Sequence, residues 1–236
     1  MTAPANTQIP APQPLKITLD TSHVVSALHQ SPPRAIARLV LAHGAGAGMT
    51  HPFMAAVANG LAERNIATLR YQFPYMEQGS KRPDRPALAH ATVRAAVATA
   101  ARLTPNLPLI AGGKSFGARM TSQAQAEAPL AKIRGLVFLG FPLHPAGKPA
   151  DTRAQHLSEI QIPMLFLQGT RDALAEPALL RKLIEKRGST ATLALTQDAD
   201  HSFHVPVRSG QTDSQVLSAV LDTLAAWLTT TVLAPP

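Results

Sequence analysis

Leu109-Ile110-Ala111-Gly112-Gly113-Lys114-Ser115-Phe116-Gly117 is the stretch whose reading decides the fold, because an apolar run passes there through glycines into helix-favouring residues. Residues 108–111 read as a short buried strand, and residues 118–128 are rich in helix formers. Between them stands one complete Gly-x-Ser-x-Gly, made by Gly113, Ser115 and Gly117. A serine on a sharp strand-to-helix turn needs a glycine two residues to either side, since a side chain there would meet the adjoining strand or helix. Ser115 is therefore a candidate nucleophile projecting from a sheet edge. The same residues also end a phosphate-binding Gly-x-x-x-x-Gly-Lys-Ser. That loop requires glycine at 108, where this chain has Pro108 with no amide hydrogen to offer a phosphate.

Working outward, apolar periodicity alternates between strand and helix. Strands are expected at 38–42, 67–71, 135–140, 164–167 and 191–195, and helices at 52–64, 87–103, 179–184 and 214–229. Gly188 is placed to stop the helix that precedes the last strand. Ahead of these, 15–19 and 24–28 read as an antiparallel hairpin at a sheet edge. Residues 73–86, with Pro74, Gly79, Pro83 and Pro86, read as a loop, and the short polar connection from Pro145 to Ile162 leaves little room for a cap. The pattern implies an α/β fold: a mostly parallel sheet with helices on both faces, one domain over 15–232 behind a flexible tail at 1–14.

Bulk composition narrows the function classes. The 236 residues are 45% hydrophobic, enough for a sizeable core, and the absence of cysteine excludes disulfides, thiolate catalysis and cysteine zinc sites. A net charge of +8 comes from 22 Lys+Arg against 14 Asp+Glu, but the basic residues are scattered and no aromatic residues interleave with them. This favours a solvated basic surface over nucleic acid binding. The first residues lack the basic start and apolar core of a signal peptide, and no run approaches a membrane span, so a soluble cytoplasmic protein without a membrane partner is expected. No dinucleotide Gly-x-Gly-x-x-Gly follows the first buried strand and no paired histidines have zinc spacing, so neither cofactor nor metal is expected. The sequence sets no oligomeric state.

Ser115, Asp172 and His201 each lie just after an expected strand, at the sheet edge where ligands of such folds bind. The chemistry explains the residue types. A serine hydroxyl is a poor nucleophile until a neutral imidazole takes its proton, and a carboxylate holds the imidazole tautomer and stabilises the imidazolium. His43-Gly44-Ala45-Gly46-Ala47-Gly48 follows the first strongly buried strand, and such a glycine-rich loop lets backbone amides approach an anion. The amides of Ala45 and Phe116 are the candidate oxyanion donors. Blander roles exist for each residue: Asp172 as a helix cap, His201 as a surface residue with His204, Asp198 and Asp200 as neighbouring substitutes, and structural roles for His43 and His51.

With these residues assembled, the chain resembles the α/β-hydrolases in their Ser, Asp, His order. It is most similar to the group of testis-expressed hydrolase-like proteins and the hydrolase-like subunit of a histone acetyltransferase complex, with dienelactone-hydrolase-like proteins next. The likeness covers roughly 36–230. It rests on His43-Gly44-Ala45-Gly46, Arg70-Tyr71-Gln72-Phe73-Pro74-Tyr75, residues 112–119, Gly140-Phe141-Pro142-Leu143-His144-Pro145, Gln168-Gly169-Thr170-Arg171-Asp172 and Asp200-His201-Ser202-Phe203. The resemblance favours His201 over His204 and implies a serine-hydrolase scaffold, though some relatives serve as interaction modules. The expected activity is cleavage of a small or medium carboxylic ester. A non-catalytic scaffold and a peptidase or thioesterase of the same mechanism are the alternatives. Met49, Phe73, Tyr75, Arg119 and Phe141 are the expected pocket residues for a small-molecule acyl substrate, with Arg119 a candidate for a substrate carboxylate. The Phe116 side chain is expected to narrow the site.

Overall fold

The computed structural model describes residues 9–234. In chain order its strands are β1 (Gln13–Thr18), β2 (Val24–Gln30), β3 (Ala37–Ala42), β4 (Ile66–Tyr71), β5 (Leu109–Lys114), β6 (Ile133–Leu139), β7 (Met164–Gly169) and β8 (Ala191–Thr196). The helices are α1 (Pro52–Glu63), α2 (Pro74–Glu77), α3 (Pro86–Leu103), α4 (Phe116–Glu127), α5 (Pro177–Arg187) and α6 (Asp213–Trp227). One sheet runs β1-β2-β4-β3-β5-β6-β7-β8. The β1 and β2 hairpin is antiparallel, β2 also meets β4 antiparallel, and every pairing from β4 to β8 is parallel. The alternation of elements is borne out as a mostly parallel sheet with helices on both faces, in the arrangement of the α/β-hydrolase fold that the resemblance implies.

Alternation along the buried strands sorts side chains to two faces. Val40 and Ala42 of β3 join a core with Val93 and Val97 of α3 and Met120 of α4, whereas Leu39 and Leu41 join Val57 and Leu61 of α1 with Val220 and Leu224 of α6. Burying each such Leu, Val or Phe contributes roughly 1.5–3 kcal/mol. The helices that cover the sheet are started locally. Proline occupies the first turn of α1, α2, α3 and α5, and Thr212 caps α6 in a capping box with Gln215.

Several expectations change. The first strand begins at Gln13, ahead of the expected 15, and the Gln30 side-chain amide donates to the Pro10 carbonyl at 3.0 Å. Residues 1–8 of the expected tail lie outside the described residues. The 73–86 loop holds the single turn α2, and the 145–162 connection holds a 3-10 helix, Thr152–Glu159, docked on α4 through Ser122 and His156 at 2.7 Å. The segment Asp213–Val232 is long and apolar enough by length and composition to cross a membrane, contrary to the expectation of no such run. Its Val216, Val220, Leu221, Leu224 and Trp227 are instead buried against the sheet, which accounts for its apolar content.

Candidate active site

Ser115 sits between β5 and α4 with φ 51° and ψ −110°. For a residue with a Cβ this is a sparsely populated conformation, costing on the order of 1–3 kcal/mol and sustained only by its surroundings. Those surroundings are visible at the glycines. A Cβ on Gly113 would stand 2.5 Å from the Ala42 carbonyl oxygen, and one on Gly117 would stand 2.6 Å from the oxygens of both Ala42 and His43. The turn is thus clamped onto the end of β3. Its serine amide donates to Leu139 at 3.3 Å, which ties it to β6 as well.

Two loops on the other side of β5 bring up the remaining groups. Asp172 follows β7 and is 4% exposed, with one carboxylate oxygen accepting from the Leu174 amide at 2.8 Å and the other from the Gln168 side chain. His201 follows β8, and its Nδ1 lies 2.6 Å from Asp172 Oδ2 while its Nε2 lies 2.9 Å from Ser115 Oγ. The partners assign the tautomer: Nδ1–H donates to the carboxylate, leaving the Nε2 lone pair to accept from the hydroxyl. A Cβ on Gly169 would overlap the Ala199 carbonyl, so the two loops touch where Asp172 and His201 must meet. His204, the neighbouring substitute, turns away; its ring is exposed and pairs with Asp213 at 2.8 Å, which raises its pKa.

The glycine-rich loop after β3 is fastened from below. His43 is fully buried, and burial pushes its pKa down to about 4, so the ring is neutral. Its Nδ1–H donates to the Gly44 carbonyl at 2.8 Å and its Nε2 accepts from the Phe73 amide at 3.1 Å. The Gly46 amide donates to the Tyr75 hydroxyl at 3.0 Å, and the Met49 amide to Gln72 at 2.8 Å. The Arg70 guanidinium donates to the Met49 carbonyl at 3.3 Å. The Ala45 amide is left with no acceptor among the described residues, and Phe116, as the first residue of α4, has no intrahelical acceptor for its own.

Beside Ser115 opens a cavity of about 380 Å³, lined by Ala45, Ala47, Phe53, Met54 and Leu174 together with Lys114, Ser115 and His201. None of the five expected pocket residues lines it. Phe73 and Phe141 are fully buried and Tyr75 is nearly so. Phe73 and Tyr75 pack with the Phe116 ring, at centroid distances of 5.3 and 6.3 Å, beneath the glycine-rich loop. The Phe116 ring therefore belongs to the core and does not narrow the cavity. Phe141 packs on Phe138 and Phe166, because the positive φ of Gly140 turns the chain back toward the sheet. Met49 and Arg119 are partly buried; Met49 is a loop anchor, and Arg119 faces Arg153 and His156.

Sequence reasoning also missed residues at the site. Phe53 and Met54 were expected only as part of the core stripe of α1, and their place in its first turn puts them at the cavity as well. Lys114 was read as part of a phosphate loop and of the 112–119 motif, with no role of its own. It is 9% exposed, and its ammonium donates to the His201 carbonyl at 2.6 Å. Burial pulls its pKa down to about 8 against the opposing pull of Asp172 and Asp200. Nothing in local periodicity marks a bond to a residue so distant in the chain.

A strained serine on a strand-to-helix turn, facing a histidine that faces a buried carboxylate, with a glycine loop alongside, defines the site of an α/β-hydrolase scaffold. The chain belongs to the alpha/beta hydrolase domain family, which it matches over residues 35–229. Solved structures agree in fold. A dienelactone hydrolase from Anabaena variabilis is 20% identical, with a TM-score of 0.76 over 95% of this chain and 100% of its own. A lidless α/β serine hydrolase from Xanthomonas campestris is 20% identical, with a TM-score of 0.70 over 95% and 97%. The esterase domain of a Rhodothermus marinus protein is 14% identical, with a TM-score of 0.68 over 94% and 99%.

Proposed function

We propose that the protein is a serine hydrolase that cleaves small or medium carboxylic esters through an acyl-Ser115 intermediate. The observation that carries this reading is the continuous chain Ser115 Oγ, His201 Nε2, His201 Nδ1, Asp172 Oδ2, with separations of 2.9 and 2.6 Å. His201 takes the hydroxyl proton at Nε2 as Oγ attacks the carbonyl carbon. The Ala45 and Phe116 amides receive the oxyanion, a contribution of about 3–4 kcal/mol per donor to the transition state. The intermediate collapses, the C–O bond to the alcohol breaks, and His201 returns the proton to the departing oxygen. Water then repeats the sequence on the acyl-enzyme. Apolar walls at Ala47, Phe53, Met54 and Leu174 suit an uncharged acyl ester. Within the family, the motifs at 70–75, 112–119 and 140–145 support placement beside the testis-expressed and acetyltransferase-complex hydrolase-like proteins.

The test is reaction of wild type and Ser115→Ala with a fluorophosphonate, with intact mass counting adducts. One adduct on wild type alone is expected. No adduct on folded wild type would move the reading to a non-catalytic scaffold. With the serine labelled, esters of rising acyl length set beside a thioester and a peptide decide the substrate: turnover of the last two without the esters would overturn the ester assignment.

A further inference from the structure

Lys114 is a buried cation for which the proposed chemistry has no use. Placing an ammonium in a nearly enclosed site is costly, and an apolar side chain of similar length would occupy the same space more cheaply. Its surroundings indicate what the charge does. The backbone of Lys114 is fixed at the end of β5, one residue before the strained serine. Its Nζ donates to the His201 carbonyl at 2.6 Å and stands 5.9 Å from the Phe203 ring centroid. A Cβ on Gly140 would lie 2.8 Å from Nζ and 3.3 Å from the His201 ring, so ammonium and imidazole sit side by side over a residue that has no room for a side chain. Of the other backbone bonds of the histidine turn, the Asp200 amide to His204, the Phe203 amide to Asp200, and the Ser202 and His204 amides to the Asp200 carboxylate stay local. The Ala199 carbonyl accepts from the Arg171 amide at 2.9 Å, the Asp198 amide donates to Thr170 Oγ1 at 2.9 Å and the Val205 amide donates to Asp213 at 3.0 Å, which hold the turn to the loop after β7 and to α6. They shape the turn without placing it against β5.

We infer that Lys114 is a positioning residue: its ammonium ties the turn that carries His201 to the strand end that carries Ser115, setting the imidazole between Ser115 and Asp172. This rests on the reading of Ser115 as nucleophile. A charge-assisted bond is roughly twice as strong as a neutral one, so the tie weakens when the ammonium loses its proton. The titratable groups facing Lys114 are Asp172, Asp200 and His201, and the two carboxylates hold its proton on. Deprotonation of Lys114 at about pH 8 therefore sets an alkaline limb on activity.

The experiment measures the rate of fluorophosphonate labelling at Ser115 as a function of pH and probe concentration, in wild type, Lys114→Met and Asp200→Asn. Misplacing a reacting group by about 1 Å can cost roughly a hundredfold, and Lys114→Met is expected to lose activity on that scale in the maximal labelling rate, with probe binding little changed. Wild type should slow above about pH 8, and Lys114→Met should lack that limb. Asp200→Asn keeps the acceptor for the Ser202 and His204 amides but removes a charge that favours the ammonium, so its limb should move to lower pH. Should Lys114→Met fail to fold, wild type and Asp200→Asn still decide. Wild-type labelling in Lys114→Met, or an alkaline limb that ignores both substitutions, would overturn the inference while leaving the nucleophile in place. Absence of wild-type labelling would overturn both.

Discussion

Two loops reach Ser115 from the two sides of β5 in the sheet, and they are fastened by different physics. The loop after β3, which carries Ala45, is held largely by neutral groups: the Tyr75 hydroxyl, the Gln72 amide and a neutral His43, with Arg70 the charged exception. The turn after β8, which carries His201, is held among charges: Lys114 on its carbonyl, Asp172 on its ring and Asp200 on its amides. The tasks differ in the same way. Backbone amides offer a fixed dipole to a charge that appears in the transition state, so their support gains nothing from titrating. An imidazole must gain and lose a proton in each turnover, and its balance is set by the charges around it. Sensitivity to pH should therefore reside in the second loop and be absent from the first.

The comparison breaks outright if the second loop is dispensable. Replacing His201 with alanine should lower the labelling rate at Ser115 by roughly four to six orders of magnitude, with the fold intact by circular dichroism. A fall of only a few-fold would mean that Ser115 is not activated through this ring.

The first loop is sharpened by Tyr75→Phe, which deletes the acceptor of the Gly46 amide and keeps the buried ring. Removing an oxyanion donor directly costs about 10²–10³, and loosening the loop that carries one should cost less, about tenfold in maximal rate. The shape of the pH profile should not change. A shifted profile in Tyr75→Phe would contradict the division between the loops.

Much of this arrangement was legible in the sequence, and the reasons are steric. Gly113 and Gly117 are dictated by the close approach of Ala42, and such a requirement leaves a residue pattern behind. That Ser115, Asp172 and His201 come together could be read because each follows a strand of a parallel sheet, whose topology gathers strand ends at one edge. Rotation about those strand ends could not be read. Phe73, Tyr75 and Phe141 are close to the site in sequence, yet Pro74 starts a turn that carries Tyr75 under the loop, and Gly140 at φ 70° folds Phe141 into the core. The role of Lys114 was hidden for another reason, since its acceptor is a backbone carbonyl 87 residues away and any residue type would supply one.

Lys114 also makes stability and activity part company. Its folded pKa is about 8 against an ordinary 10.5, so between those values the unfolded chain binds more protons than the folded one. By linkage, the contribution of this group to stability rises with pH across that window, while the positioning bond weakens. The difference in urea midpoint between wild type and Lys114→Met should move in favour of wild type from about pH 8 upward. A difference that stays flat would place the charge in a better solvated setting than its burial implies.

The smallest effect is expected three residues beyond the proposed base. His204 shares the turn with His201, but its ring is 64% exposed and its partner is Asp213 at the start of α6. Hydrogen bonding to that carboxylate raises its pKa, yet an ion pair so well solvated is screened, and the ring touches neither Ser115 nor Lys114. His204→Ala should therefore leave both the labelling rate and the alkaline limb within about twofold of wild type, because exposed pairs contribute little. A large loss would show that the second loop is positioned from α6 as well as from β5. The charged fastening would then extend across the turn, and Lys114 would be one of two restraints on His201.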